Sequence, residues 1–579
     1  MDNNSLTEPL LSTTEESSQT REEHNFNSQS ADADETTSSS PPQSCHAPSS
    51  DDNGNDNNDN NSSSSFSIYQ ESLEMIHLAL PLAVSFFCRM GMASTDSAFV
   101  GHLNTPEYTA EIYLAAAVLS DMVIGVLITP PLAFNQVLNG LVSQAMGSGN
   151  PKMAGVWLQQ SMGFLSLSML PCLTGLWYVE PILLKLGFPH DVSHIAGVYA
   201  KYNILWPIPN GLYQCLRFYF QAQGLATPAM VNNVLFLGIN ALLNWIFVFG
   251  AGGIFGGWTG FGFIGAAISL SISRTMQGVV YFIYMFLYKK HHIPTWPDNG
   301  WSFQHHTKDR ILEFLKQSVP NIGTLLFQSA ASQATTVLVG RLGELSIAAS
   351  SALSTVTIPW SGTLSATCGT VSGVRVGFHL GRGHAQAART AAWMVLAFVT
   401  IATLLLAVAV VSFQKQILSL STSDHDVLGL AATLVPAMLV GTYLNLVVGI
   451  VTSGVFSGMG RPLIATILSF GLELPLSIGG VALYVLLVKG SNLLGVYWWQ
   501  AITGGIEVVL VLAILMRSNW NQCAEEAQAR QESSSAASRQ NHRHHDTTSD
   551  DNHDPELAVG LLTAEAEGSS SDEPTQPEA

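Results

Sequence analysis

Between about residue 70 and residue 517 the chain returns, again and again, to apolar runs of 20 residues or more. That is the length an α-helix needs to cross roughly 30 Å of hydrocarbon. Twelve such runs are centred near residues 86, 126, 168, 208, 238, 275, 325, 361, 400, 440, 476 and 505. Only 11% of the 579 residues are charged and 47% are hydrophobic, as expected of a polytopic membrane protein. The formal charge of −19 belongs to the ends. Residues 1–65 carry 13 acidic and 1 basic residue and residues 519–579 carry 13 and 3, which leaves the body between them near +3. Without a basic stripe, nucleic acid is not an expected partner. The expected partner of such a chain is the lipid bilayer.

The ends are rich in Ser, Asn, Gln and Asp, so both are expected to be disordered acidic tails. Six scattered cysteines (45, 88, 172, 215, 368 and 523) form no CxxC pair, and neither a disulfide framework nor a zinc site is expected. Histidines 291, 292, 305, 306, 542, 544 and 545 read as solvated loop or tail residues. Glu8-Pro9-Leu10-Leu11 has the form of a trafficking signal, although a short Leu pair in such a tail more often has no role. Nucleophile–base sets, metal motifs and phosphate loops are absent, so no enzyme and no cofactor are expected. Basic residues concentrate on one set of connections (Lys152, Arg217, Lys289, Lys290, Lys308, Arg310, Lys316, Arg375, Arg382, Arg389, Arg461, Arg517), which predicts both termini in the cytosol.

The chain also repeats itself. Pro81 and Gly101 recur 239 residues later as Pro320 and Gly340, and Val100-Gly101-His102-Leu103 returns as Val339-Gly340-Arg341-Leu342. At an offset of 234, Ser120 matches Ser354 and GSGNPKMAG (147–155) matches GRGHAQAAR (381–389). Six spans per half give both halves the same topology, a parallel repeat around a central cavity. The expected organisation is a tail (1–65), an N-lobe (66–290), a cytosolic linker (291–310), a C-lobe (311–518) and a second tail (519–579).

VGHL (100–103), LVSQAMGSGNPKMAGVWLQQ (141–160), FYFQAQG (218–224), VSGVRVGFHLGRGHAQAAR (371–389) and GVFSGMGRP (454–462) resemble the multidrug and toxic compound extrusion family of cation-coupled antiporters. The resemblance covers most of residues 70–520 and implies an all-α bundle of two six-helix lobes, acting as a monomer by alternating access. The implied function is efflux of organic or xenobiotic compounds in exchange for H⁺ or Na⁺, at a plasma, vacuolar or endosomal membrane. Two other readings stay open: a lipid-linked-oligosaccharide flippase of the same superfamily, and a receptor or scaffold that no longer transports.

Charged groups at membrane depth are costly, by about 2.5–3.5 kcal/mol on insertion scales, and therefore mark functional sites. In the first span Arg89 and Asp96 lie two turns apart on one face. Asn240 and Asn244 lie one turn apart in span 5. The resemblance implies an N-lobe ion-coupling site of Asp96, Asn240 and Asn244. Asp96 either carries the ion or neutralises Arg89 or Arg274, and Arg274 either takes Asp96 alternately or pairs with Asp121. Two span-7 glutamates seen in many relatives are Gln328 and Gln333 here, and a span-10 aspartate is replaced by Leu446 beside Asn445. Gln328, Gln333 and Asn445 are expected as polar cavity residues. Glu473, two residues before Pro475, is expected as a second ion-coupling acid, with Glu507 as the other candidate. Arg375, Arg382 and Arg389 are expected at helix C-termini or lipid phosphates.

Overall fold

The computed structural model describes residues 67–531, apart from 104, 107, 251–256, 299, 302–304 and 420–423. The N-terminal tail, the Glu8-Pro9-Leu10-Leu11 sequence, Cys45 and histidines 542, 544 and 545 lie outside the described residues. Helices occur where the apolar runs predict them: α1 (Ile68–Gly101), α2 (Ala110–Gly147), α3 (Pro151–Lys185), α5 (Thr227–Phe249), α6 (Phe263–Tyr288), α7 (Lys308–Gly340), α8 (Glu344–Gly381), α9 (Ala385–Ser412), α10 (His425–Gly458), α11 (Pro462–Leu487) and α12 (Leu493–Arg517). The fourth span, α4, runs His190–Tyr202, turns once at Asn203–Leu205 and resumes over Pro207–Ala222. No strand occurs among the described residues. In hydrocarbon this is required, because backbone polar groups must be satisfied within the segment. Nine of these helices, among the described residues, are long and apolar enough to span a membrane by composition alone. The other three are the broken α4 and the more polar α7 and α8.

Local chemistry fixes the helix ends. Proline stands at the first positions of α3, of the second part of α4, of α5 and of α11, where its missing N–H costs nothing. Asp424 accepts from the Asp426 amide and Asn492 from the Gly495 amide (2.8 Å), capping α10 and α12. Pro81, Pro130, Pro131, Pro320 and Pro359 all lie inside continuous helices. In α11 the turns around Pro475 widen into a π-helical stretch, Ser469–Ile478.

One core joins the two halves at the face that bears the chain ends. It takes in Leu138 and Trp157 of the first half and Phe314, Val376 and Phe456 of the second. Phe314 stacks against Phe164 (5.6 Å between centroids) and Phe134 (6.1 Å). At the opposite face each half keeps its own core, around Ile124, Leu176 and Phe263 in the first and Leu353, Leu434 and Val481 in the second. The halves are therefore closed against each other at one face and separately packed at the other.

The join depends on glycine. A Cβ at Gly147 would collide with the Phe378 carbonyl, and one at Gly381 with the Gln144 carbonyl, so α2 and α8 cross with their backbones in contact. Gln144 Nε2 reaches across to donate to the Gly458 carbonyl at 2.7 Å.

Three expectations need correction. Residues 520–531 form a helix, α13, rather than the start of a disordered tail. Trp520, Cys523, Ala524 and Ala527 give it an apolar stripe that buries in the shared core, and Arg461–Glu526 (2.7 Å) and Arg530–Glu313 (3.8 Å) pin its polar side. The linker is not a solvated loop. Tyr219 Oη bonds Thr295 Oγ1, Gln159 Nε2 donates to the Gly300 carbonyl, and His292 stacks on Phe286 with centroids 4.4 Å apart. Arg375 is not a lipid-facing cation. It pairs with Glu71 and Glu74 of α1, and His379 joins Glu71 at 3.0 Å.

Candidate functional site

In the N-lobe, α1 and α5 pack side by side, and their registers bring Asp96, Asn240 and Asn244 together. Asn244 Nδ2 donates to Asp96 Oδ1 at 2.7 Å and Asn240 Nδ2 donates to the same oxygen at 3.0 Å. Asn240 also reaches Ser273 Oγ of α6 at 3.3 Å, and Asn244 the Asn240 carbonyl at 3.1 Å. Both asparagines are fully buried and Asp96 is 8% exposed. The side-chain oxygens of Asn240 and Asn244 are buried and accept no hydrogen bond among the described residues. A carboxylate with two adjacent amide oxygens is a donor set suited to a hard cation, and the carboxylate alone can hold a proton.

The charge partners are arranged differently from expectation. Asp96 forms no ion pair with Arg89 or Arg274 among the described residues. Arg274 Nη1 turns to Met92 Sδ (3.6 Å) and Gln277 Oε1 (3.4 Å). Asp121 of α2 is exposed and does not pair with Arg274. The seven-residue spacing of Arg89 and Asp96 does not bring their charges together: it spans about 10 Å of helix, and Asp96 Oδ1 is bonded by the α5 amides.

The C-lobe holds a cavity of about 450 Å³ between α7, α8, α10, α11 and α12. Gln328, Asn445, Glu473, Tyr497, Gln500 and Glu507 are among its walls. Glu473 and Glu507 thus face one space, and neither is in an ion pair among the described residues. Gln333 falls outside: it is exposed on another side of α7. Thr335, the repeat counterpart of Asp96, also lines this cavity. Repeat-related positions therefore face the interior of each half, with different chemistry.

Sequence reasoning gave no prominence to the Glu71–Arg375–His379 cluster. The signal was present as an acidic pair, Glu71 and Glu74, one turn apart at the start of α1. Its partner lies 304 positions away, beyond the reach of any local pattern.

The MatE family model matches the chain twice, over residues 81–246 and 320–478, together more than half its length. The two matches begin 239 residues apart, the offset of the internal repeat. Multidrug and toxin extrusion protein 1 of Xenopus tropicalis is 25% identical over 469 residues, covering 80% of this chain and 77% of that protein. The human protein of the same name is 28% identical over 442 residues, covering 75% and 72%. Among solved structures, the eukaryotic MATE transporter AtDTX14 superposes with a TM-score of 0.70 at 20% identity, over 80% of this chain and 99% of that one. The fold is thus a twelve-helix bundle of two six-helix repeats, and the protein is a multi-pass membrane protein. The chain belongs to the MatE family of membrane transporters, among whose members are the multidrug and toxin extrusion proteins.

Proposed function

We propose that this transporter is a secondary active efflux antiporter, exchanging an inward-moving H⁺ or Na⁺ for a small organic, cationic substrate. Asp96 carries the ion, and Asn240 and Asn244 hold its carboxylate and supply further oxygens. The C-lobe cavity, with Glu473 and Glu507, is the second acidic site and offers the substrate a counter-charge. Both termini are cytosolic in this reading, so the joined face is the cytosolic gate in its closed state and substrate leaves from the opposite side. The protein works as a monomer in the plasma membrane or an endomembrane.

The observation that carries this reading is the Asp96 carboxylate, buried within a spanning bundle, bonded to neutral amides and in no ion pair among the described residues. Such an acid is too costly to keep as filler. Its partners accommodate either a charged aspartate with a bound cation or a protonated one. Proteoliposomes loaded with a fluorescent organic cation and given a pH or Na⁺ gradient test it. Asp96→Asn abolishes gradient-driven efflux while leaving the fold intact. Undiminished efflux in that variant would overturn the assignment.

A further inference from the structure

Three arginines lie inside the N-lobe beyond ion-pair distance of a carboxylate among the described residues: Arg89 on α1, Arg217 on α4 and Arg274 on α6, of which Arg274 alone feels the Asp96 charge. Arg217 is 1% exposed, and its Nε and Nη1 are both buried and unbonded. Its guanidinium is sandwiched between the rings of Phe218 (4.6 Å) and Phe86 (4.8 Å). Phe86 lies one turn before Arg89, whose Nη1 is also buried and unbonded. Met92, one turn further along the same face, meets Arg274. Arg89 is within electrostatic reach of both other arginines.

Asn233 cannot serve these donors, and Gln221 Oε1, one turn along α4 from Arg217, is buried without bonding to it. Asn233 Oδ1 accepts from Tyr213 Oη (2.9 Å) and from Gln277 Nε2 (2.8 Å), while Asn233 Nδ2 is spent on Ser85. Tyr281, buried and within electrostatic range of Arg217, has a hydroxyl with no hydrogen-bond partner among the described residues. Several guanidinium donors are thus left unbonded, and three positive charges share the single carboxylate of Asp96. A buried guanidinium is tolerated only when a counter-charge and hydrogen bonds offset its desolvation. Aromatic faces satisfy part of that need and leave the N–H donors unmet.

We propose that the N-lobe binds a small inorganic anion of halide size among Arg217, Arg89 and the Tyr281 hydroxyl. Size follows from enclosure. The Phe86 and Phe218 rings lie against the guanidinium of Arg217, a residue 1% exposed, with Tyr213 and Tyr281 buried in the same core, so only a small ion is proposed. The anion is distinct from the coupling cation at Asp96. It supplies the negative charge that lets the three arginines coexist and ties α1, α4 and α6 together.

The test uses the full-length protein in detergent. Thermal unfolding is followed by tryptophan fluorescence while sodium chloride or sodium bromide is replaced stepwise by sodium gluconate. Sodium is held constant so that the Asp96 site contributes nothing to the change. Chloride and bromide raise the midpoint saturably, by about 2–4 °C, and gluconate does not. Arg217→Gln removes the response, and Tyr281→Phe and Arg89→Gln weaken its half-saturation about tenfold. If Arg217→Gln fails to fold, the other two variants decide. Equal midpoints in chloride and gluconate, or an undiminished response in the variants, would overturn the proposal.

Discussion

Arg375 of α8 grips Glu71 of α1 with two parallel hydrogen bonds, Nε to Oε1 at 2.8 Å and Nη2 to Oε2 at 2.5 Å. Its third nitrogen meets Glu74 at 2.6 Å, and His379 approaches Glu71 from the next turn of α8. The pair joins the first helix of one repeat to the second helix of the other at the closed face. Glu71 is only 4% exposed. Bidentate geometry makes this a stiff connection as well as a charged one.

Removing one member of such a pair strands the other in a buried site, at a cost of about 3–5 kcal/mol. Arg375→Met is therefore expected to lower the unfolding midpoint sharply. Glu71→Gln together with Arg375→Met recovers part of that loss, since no buried charge is left alone. A double-mutant cycle measured by thermal unfolding checks this. Strict additivity of the two changes would show that the pair holds nothing together.

The glycine crossing next to that pair makes a separate prediction. Gly381→Ala inserts a methyl group into the Gln144 carbonyl, with no flexible side chain to move aside. Overpacking of this kind costs about 1–3 kcal/mol. Gly101→Ala is the control, because a Cβ there meets nothing within 4 Å. The first variant loses folded yield and the second keeps it. Equal behaviour of the two in size-exclusion profiles would mean that α2 and α8 can separate freely.

Much of this was legible in the chain, for identifiable reasons. Spans announce themselves because lipid admits only long apolar helices, and the repeat because Pro81 and Gly101 recur as Pro320 and Gly340. Asn240 and Asn244 could be grouped because one helical turn sets their spacing. The contacts across the halves were not legible. Arg375 has ordinary interfacial chemistry until α1 is placed beside it. α13 was hidden because acidic and polar residues outnumber its apolar stripe. That Asp96 meets the α5 amides and not a guanidinium is likewise decided only by packing.

α13 offers a pH-dependent contact. Burial raises the Glu526 carboxyl, but its hydrogen bonds to Arg461 and the charges of Arg461 and Arg530 outweigh that and hold it below the ordinary carboxylate range. A carboxylate depressed in the folded state contributes stability above its unfolded pKa and loses it as pH falls through the folded one. The docking of residues 520–531 is thus constant at neutral pH and weakens on acidification below about 4.5. Hydrogen exchange of these amides at pH 7 and pH 3.5 measures the change. Glu526→Gln abolishes the pH dependence, and unchanged dependence in that variant would place its origin elsewhere.

The two acidic sites are separable by the same logic that distinguishes the halves. Asp96 is fixed by amides, whereas Glu473 and Glu507 line an open cavity whose wall includes Thr335, the repeat counterpart of Asp96. Losing the 2.7 Å bond in Asn244→Leu removes a charge-assisted hydrogen bond worth about 1.5–3 kcal/mol, so gradient-driven efflux falls at least about tenfold. Equilibrium binding of an organic cation stays near its normal affinity in that variant. Glu473→Gln and Glu507→Gln do the opposite. Each removes a carboxyl group from the cavity and weakens binding of the cation by several-fold, and a neutral analogue of the same shape is unaffected. Fluorescence titration with the charged and neutral analogues, beside efflux from proteoliposomes, separates the effects. If Asn244→Leu weakened cation binding as much as Glu507→Gln, ion and substrate would have to share one site, and the division of labour between the halves would fail.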